Sequence, residues 1–507
     1  MKTIGWLALS ACIVGCGGNA APTGAPADNS DAEPEAASDT APPPPPPMPQ
    51  MLSISEVAFF QAPKVDLAID GARVDARNAP VIAGRPGLLR VYVMPAEGWK
   101  SHALVGELHL RVGGKDLPGL TDTKAIAVAS KDSDLKTTFD FDVPPEAVAI
   151  DTTYAIAIHP ERPLATADEG VARYPADGSE ALGAVAGAEQ IRVQIVPVRY
   201  DADSSARTPN ITAAQIENYR STLFAMYPVA KVEITMHAPM PLATAVQADG
   251  TGWDDLVQAV IDLRAKDAAP DDVYYVAAVE PERSLMKFCG GGCVLGVAPQ
   301  IGLSAIDQRV AAITGYPDDE AVATLSQELA HAMGRGHAPC GNPKAIDRKF
   351  PYADGSTGGF GYDVVGHQLI DPSDGWYDFM SYCQPTWVSD YTFAGLYTRI
   401  AAVNAATKKA MTHSAIDAPR PYRLVHVNAD GSMRWGRTVT MRHAPEGELV
   451  TASFTNDDGV VVSRGGAQYF PYDHIGGGLL VASDPAASFD TLRVDAPFVR
   501  STLRAER

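Results

Sequence analysis

One stretch constrains this chain more than any other: Thr324 to Cys340, which reads Thr-Leu-Ser-Gln-Glu-Leu-Ala-His-Ala-Met-Gly-Arg-Gly-His-Ala-Pro-Cys. Val322, Leu325, Leu329 and Met333 fall at helical spacing and give an amphipathic helix. Positions 327 and 331 lie one turn apart on it, so Gln327 and His331 leave the same face and can meet one ion. Glu328 is the adjacent carboxylate. Gly334 ends the helix, because glycine takes the left-handed conformation at little cost, and the reversal swings His337 back towards His331. A plain amphipathic helix accounts for the apolar stripe but has no use for Gly334 or His337.

A second signature follows at Asp378-Phe379-Met380-Ser381-Tyr382-Cys383. Together the two segments resemble the metzincin zinc proteases, whose pattern is His-Glu-x-x-His-x-x-Gly-x-x-His followed by a methionine turn. Glu328, His331, Gly334 and His337 fill their places, and Gln327 stands where the first histidine should be. The Met-Ser-Tyr form is similar to that of serralysins. The resemblance implies Zn2+ held by His331 and His337, Glu328 as general base, and Met380 as the floor of the site. In serralysins that tyrosine can ligate zinc or steady the oxyanion, and by the resemblance Tyr382 is the oxyanion helper.

Gln327 offers zinc only a neutral amide oxygen, which suits that ion poorly. Three outcomes stay open. Gln327 is a weak third ligand in an impaired enzyme, another side chain substitutes for it, or the pocket is that of an inactive pseudoprotease. His367 is the nearest spare histidine in sequence, although it reads as a surface loop residue. This reasoning predicts that Gln327→His raises zinc content and peptide hydrolysis.

Ahead of this region, residues 1–15 carry Lys2 and a short apolar run, which reads as a secretion signal rather than a spanning helix. Ile13-Val14-Gly15-Cys16 resembles the bacterial lipobox, which implies cleavage before Cys16 and acylation of its sulfur. Gly17 after it implies outer-membrane sorting by the same resemblance. Residues 16–50 are rich in Ala, Pro, Asp and Glu and close with the run Pro42 to Pro47, so they predict a disordered tether stiffened by polyproline II. Lipid is then the expected link to the bilayer.

The remaining chain suffices for two or three domains. Residues 51–190 show short, partly alternating apolar runs such as Leu88–Val93, Gly106–Val112 and Tyr154–His159, read as an immunoglobulin-like β-sandwich. His102, His109 and His159 are scattered there, and Arg85 and Arg90 read as structural. From 191 to 415 strands and helices alternate, as an α/β metzincin-like domain should. Thr212 with Gln215 makes a capping box, Trp253 to Lys266 is a helix, Val273 to Val279 is a buried strand, and Val294 to Ala298 is the expected substrate-pairing edge. Residues 416–507 return to β patterning, with turns at Asp430-Gly431 and Asp458-Gly459. A small β-sandwich is expected, with His426, His443 and His474 facing solvent rather than a metal.

The net charge of -20, with no basic cluster, argues against nucleic acid as a partner. Setting aside Cys12 and Cys16 leaves Cys289, Cys293, Cys340 and Cys383. Four cysteines allow three pairings, and secretion favours disulfides over a zinc site. The favoured pairing is Cys340–Cys383, tying the helix motif to the methionine turn, with Cys289–Cys293 closing a small loop. The resulting reading is a bacterial envelope lipoprotein whose zinc metalloendopeptidase domain hydrolyses peptide bonds in proteins or glycoproteins. The domain order is similar to that of secreted mucin-cleaving proteases. The alternative is an inactive relative that binds peptide or glycoprotein.

Overall fold

The computed structural model describes residues 51–162, 172–300, 308–412, 420–441, 447–485 and 487–505. The expected signal, Cys16, the tether and His443 lie outside the described residues. None of the described helices is long and apolar enough to cross a membrane.

The middle of the chain sets the layers. Ile191–Tyr200, Val273–Val279 and Val310–Thr314 lie side by side as parallel strands. Val232–Met236 pairs parallel on one flank, and the two-residue strand Gly296–Val297 pairs antiparallel on the other. Successive side chains on a strand point to opposite faces, so each central strand feeds two cores. Val193, Ile195, Val276, Ala278, Ala311 and Ile313 enter one, while Val196, Val198, Tyr275, Ala277, Val310 and Ala312 enter the other. Burial on both faces is why these runs are apolar throughout.

Helices Ala213–Met226 and Asp319–Ala332 cover the first face through Leu223, Leu325 and Leu329. The first of them starts where expected, with the Thr212 hydroxyl accepting from the Gln215 amide at 3.2 Å. Helix Trp253–Lys266 covers the second face with Leu256, Val257, Val260 and Ile261. The long helix Asp390–Thr412 adds Phe393, Leu396 and Ile400 to the first core.

That first core runs without a break into two antiparallel N-terminal sheets. One contains Leu52–Phe60, Lys64–Ile69, Gly87–Pro95 and Phe139–Val143; the other is built on Ala103–Val112 and Thr153–Pro160. Phe59, Leu89, Leu108, Phe139 and Ile156 meet between them. Arg85 and Arg90 are fully buried. The Arg85 guanidinium is spent on the carbonyls of Gln61, Ala225 and Val229.

The C-terminal region differs from the expected sandwich. It is one seven-stranded antiparallel sheet, with Met433–Met441 at one end of the strand order and Leu503–Arg504 at the other. The sheet curls until those ends approach, and Trp435 Nε1 donates to the Arg504 carbonyl at 2.5 Å. The inner side of this near-closed barrel collects Val425, Val427, Ala467, Tyr469, Leu480 and Leu492. Its outer side places Leu424, Phe470, Tyr472, Leu479 and Val481 in the second core, against helix Trp253–Lys266. Arg434 bridges to Asp254 and Asp255 of that helix, each at 2.7 Å. Strands apolar on both sides need no second sheet when one side meets a helix. The described residues from 51 onward therefore form one compact unit, and the sheets change character near 190 and 415 while the cores run across both positions.

Candidate metal centre

Helix Asp319–Ala332 opens on Asp318, whose carboxylate accepts from the Ala321 amide at 2.9 Å. It stops at Gly334, with φ of 84°. There the Gly334 amide donates to His331 O at 2.7 Å and the Arg335 amide to Ala330 O at 3.0 Å, the paired bonds of a Schellman stop. The reversal delivers His337 to His331, with their Nε2 atoms 3.1 Å apart.

The other nitrogen fixes each ring. His331 Nδ1 lies 2.7 Å from the Arg335 carbonyl oxygen and His337 Nδ1 lies 2.6 Å from that of Lys344. A carbonyl can only accept, so each Nδ1 carries the hydrogen and each Nε2 presents a lone pair. Two lone pairs therefore face each other at 3.1 Å. That contact is repulsive unless a cation satisfies it. Burial keeps both rings from taking the proton themselves: His331 is held well below the usual imidazole range, and His337 is pushed down to about 3.

The methionine turn closes under this pair. Ala338 donates its amide to Met380 O at 3.0 Å, and Tyr382 donates its own to Cys340 O at 3.1 Å. The disulfide Cys340–Cys383 joins the two segments, and Cys289–Cys293 closes the smaller loop, as expected. The buried Asp378 carboxylate accepts from the amides of Met380 and Ser389 at 2.8 and 2.9 Å. Met380 is fully buried in the first core. Gln327 points its amide nitrogen at the carbonyls of Phe379 and Ser381, so it braces the turn.

A third ring joins from a distant part of the sequence. His474 was expected to face solvent; its side chain is only 13% exposed. It stands against His331 and His337 at ring-centroid distances of 5.5 and 5.0 Å. The ligand atoms of His331, His337 and His474 all lie within 4.8 Å of one another, as do those of Glu328, Asp473 and His474. His474 Nε2 is 2.7 Å from Glu328 Oε1, and its Nδ1 is hydrogen-bonded to the Tyr382 hydroxyl.

Glu328 is fully buried, and its carboxyl group meets His474 and Asp473. Burial pushes its carboxyl up to about 8. Asp473 is raised well above the carboxylate range too, first by burial and then by the charge of Glu328. Two carboxylates buried this close together cannot both ionise without a compensating cation. Burial also pushes the Tyr382 phenol up, so it stays protonated. Beside this group opens a cavity of ≈ 370 Å³ lined by Met226, Val294, Leu295, Gln327, Phe379 and Tyr382.

The other histidines fall elsewhere. His367 meets the Tyr362 hydroxyl at 3.3 Å and belongs to neither cluster. His426 is fully buried rather than solvent-facing, because its strand is covered on both sides; its nitrogens meet Gln258 Oε1 at 2.7 Å and the Tyr472 hydroxyl at 3.2 Å. The only local sequence signal at His474 is an Asp-His pair ahead of the run Gly476-Gly477-Gly478. No family model and no curated protein matches this chain.

Proposed function

We propose that this chain is a zinc metalloendopeptidase of metzincin type, with His331 and His337 as zinc ligands. The facing pair of Nε2 lone pairs carries the reading. The donors fit the ion: imidazole nitrogens suit zinc, and the bonds from Nδ1 to backbone carbonyls are the outer-shell support that metal-ligating histidines use. A divalent cation would also permit Glu328 and Asp473 to ionise together. When bound, zinc supplies the Lewis acidity that polarises a scissile carbonyl.

The chain's own groups divide the remaining work. Glu328, ionised once a cation offsets its burial, takes a proton from the attacking water and passes it to the leaving amine. The Tyr382 hydroxyl donates to the developing oxyanion. The neighbouring cavity, with apolar walls at Met226, Leu295 and Phe379, receives a substrate side chain. Substrates are proteins or glycoproteins met at the bacterial envelope, to which lipid on Cys16 would tether the enzyme.

The test measures zinc per chain and casein hydrolysis in the purified protein. Near one zinc per chain is expected, with hydrolysis abolished by Glu328→Ala while zinc is retained. Protein that takes up no zinc and binds peptides without cutting them would instead be a pseudoprotease.

A further inference from the structure

We infer that His474 is the third ligand of this metal, so the C-terminal barrel supplies what the helix lacks at Gln327. The inference rests on the zinc reading above and adds the residue that completes the site.

Position comes first. His474 is the third imidazole whose ligand atom lies within 4.8 Å of those of His331 and His337, and it is the one histidine of the three that neither the helix nor its stop supplies. Gln327 has its amide nitrogen committed to the Phe379 and Ser381 carbonyls at 3.2 and 3.3 Å. A neutral amide is in any case a poor zinc donor beside an available imidazole.

Rigidity comes second, because a ligand must be held in place to count. The loop bearing His474 is anchored on both sides of the sheet edge. Phe470 and Tyr472 are locked into the second core. Tyr472 bridges to Pro299, just past the edge strand Gly296–Val297. Asp473 turns under the loop, its carboxylate oxygens accepting from the Ala298 amide at 3.2 and 3.1 Å and Oδ1 also accepting from the His474 amide at 2.8 Å. The loop thus passes from the helix Trp253–Lys266 face of the sheet to the face carrying Glu328 and His331. It delivers its ring as a fixed part of the fold.

The consequence is a site shared between two regions far apart in sequence. Metal would tie the barrel to the motif helix.

The experiment compares zinc affinity in the wild-type chain, His474→Ala and His474→Cys, by chelator competition and metal analysis, with cobalt(II) absorption as a second readout. His474→Ala should weaken zinc about 100-fold or more, since even outer-shell losses typically cost about 10–100-fold. His474→Cys should recover much of that loss, and its cobalt complex should gain a thiolate charge-transfer band absent from the wild type. That band decides the matter should the alanine variant fail to fold. Wild type that binds zinc while His474→Ala binds it equally well, or a cysteine variant without the thiolate band, overturns the role of His474 alone. Wild type that binds no zinc overturns the metalloenzyme reading and this inference with it.

Discussion

Gln327 reaches from the motif helix to the methionine turn, its amide nitrogen 3.2 Å from the carbonyl oxygen of Phe379. A second carbonyl, that of Ser381, lies 3.3 Å away. On the proposed role of His474, the outcome expected for a histidine at 327 differs from the one drawn from the motif alone. With His474 in the cluster, a histidine at 327 adds no needed ligand and removes a donor from two carbonyls. Gln327→His should leave zinc near one per chain and lower stability by about 1 kcal/mol, the ordinary net worth of an intramolecular hydrogen bond. Metal analysis and urea denaturation check the two halves. A rise in zinc content would mean that position 327 is where the third donor belongs.

The two disulfides should differ in worth. Cys340–Cys383 spans a sequence separation of 43 and Cys289–Cys293 one of 4. Loop-closure entropy then gives about 4 kcal/mol for the first and about 2 kcal/mol for the second. The longer bridge also holds the strip where Tyr382 donates to Cys340 O. Replacing Cys340 and Cys383 by serine should therefore cost roughly twice as much as replacing Cys289 and Cys293, and should weaken zinc binding as well. Equal losses of stability in denaturant titrations would contradict this.

What the sequence revealed was local. The Thr212 cap, the helix Trp253–Lys266, the buried strand Val273–Val279 and the Gly334 stop each depend on residues within a turn or two, and each lies where its pattern places it. His331 and His337 are close because a short glycine-ended reversal joins them. His474 obeys no such rule. Its approach depends on Phe470, Tyr472 and Leu479 choosing the far face of the central sheet, and nothing in the spacing around Asp473-His474 encodes that choice. The same long-range packing hid the barrel: Arg420–Val427 and Gly478–Ser483 are buried along most of both faces, a pattern that cannot say whether a sheet or a helix covers the second one.

His426 should make stability depend on pH. Burial first, and then the charge of Arg434, pushes its imidazole down to about 4, against about 6.5 in an unfolded chain. Below pH 6.5 the unfolded chain takes up a proton that the folded one refuses. This contribution is therefore complete above that pH and is lost as pH falls towards 4. Between pH 7 and 4.5 the loss is roughly 2–3 kcal/mol. His426→Gln retains polar groups for Gln258 and the Tyr472 hydroxyl but cannot titrate. Urea midpoints at the two pH values should fall less in this variant than in the wild type; parallel falls would show that the ring takes up its proton in the folded state as well.

Gly296 gives the last expectation, because it is the backbone that Glu328 lies against. A Cβ there would stand 2.5 Å from Glu328 Cγ and 2.7 Å from Oε1, well inside the contact distance of carbon atoms. Neither partner can yield cheaply: Glu328 is fully buried on a helix, and Gly296 pairs with Ile313 in the sheet. Gly296→Ala should therefore displace the Glu328 carboxylate while leaving His331 and His337, with their carbonyl partners, where they are. Displacements of about 1 Å in such groups cost on the order of 100-fold in rate. The variant should keep its zinc and lose casein hydrolysis by about that factor, mainly in kcat. Zinc lost in proportion to activity would mean that Glu328 works through the metal's coordination rather than as the base.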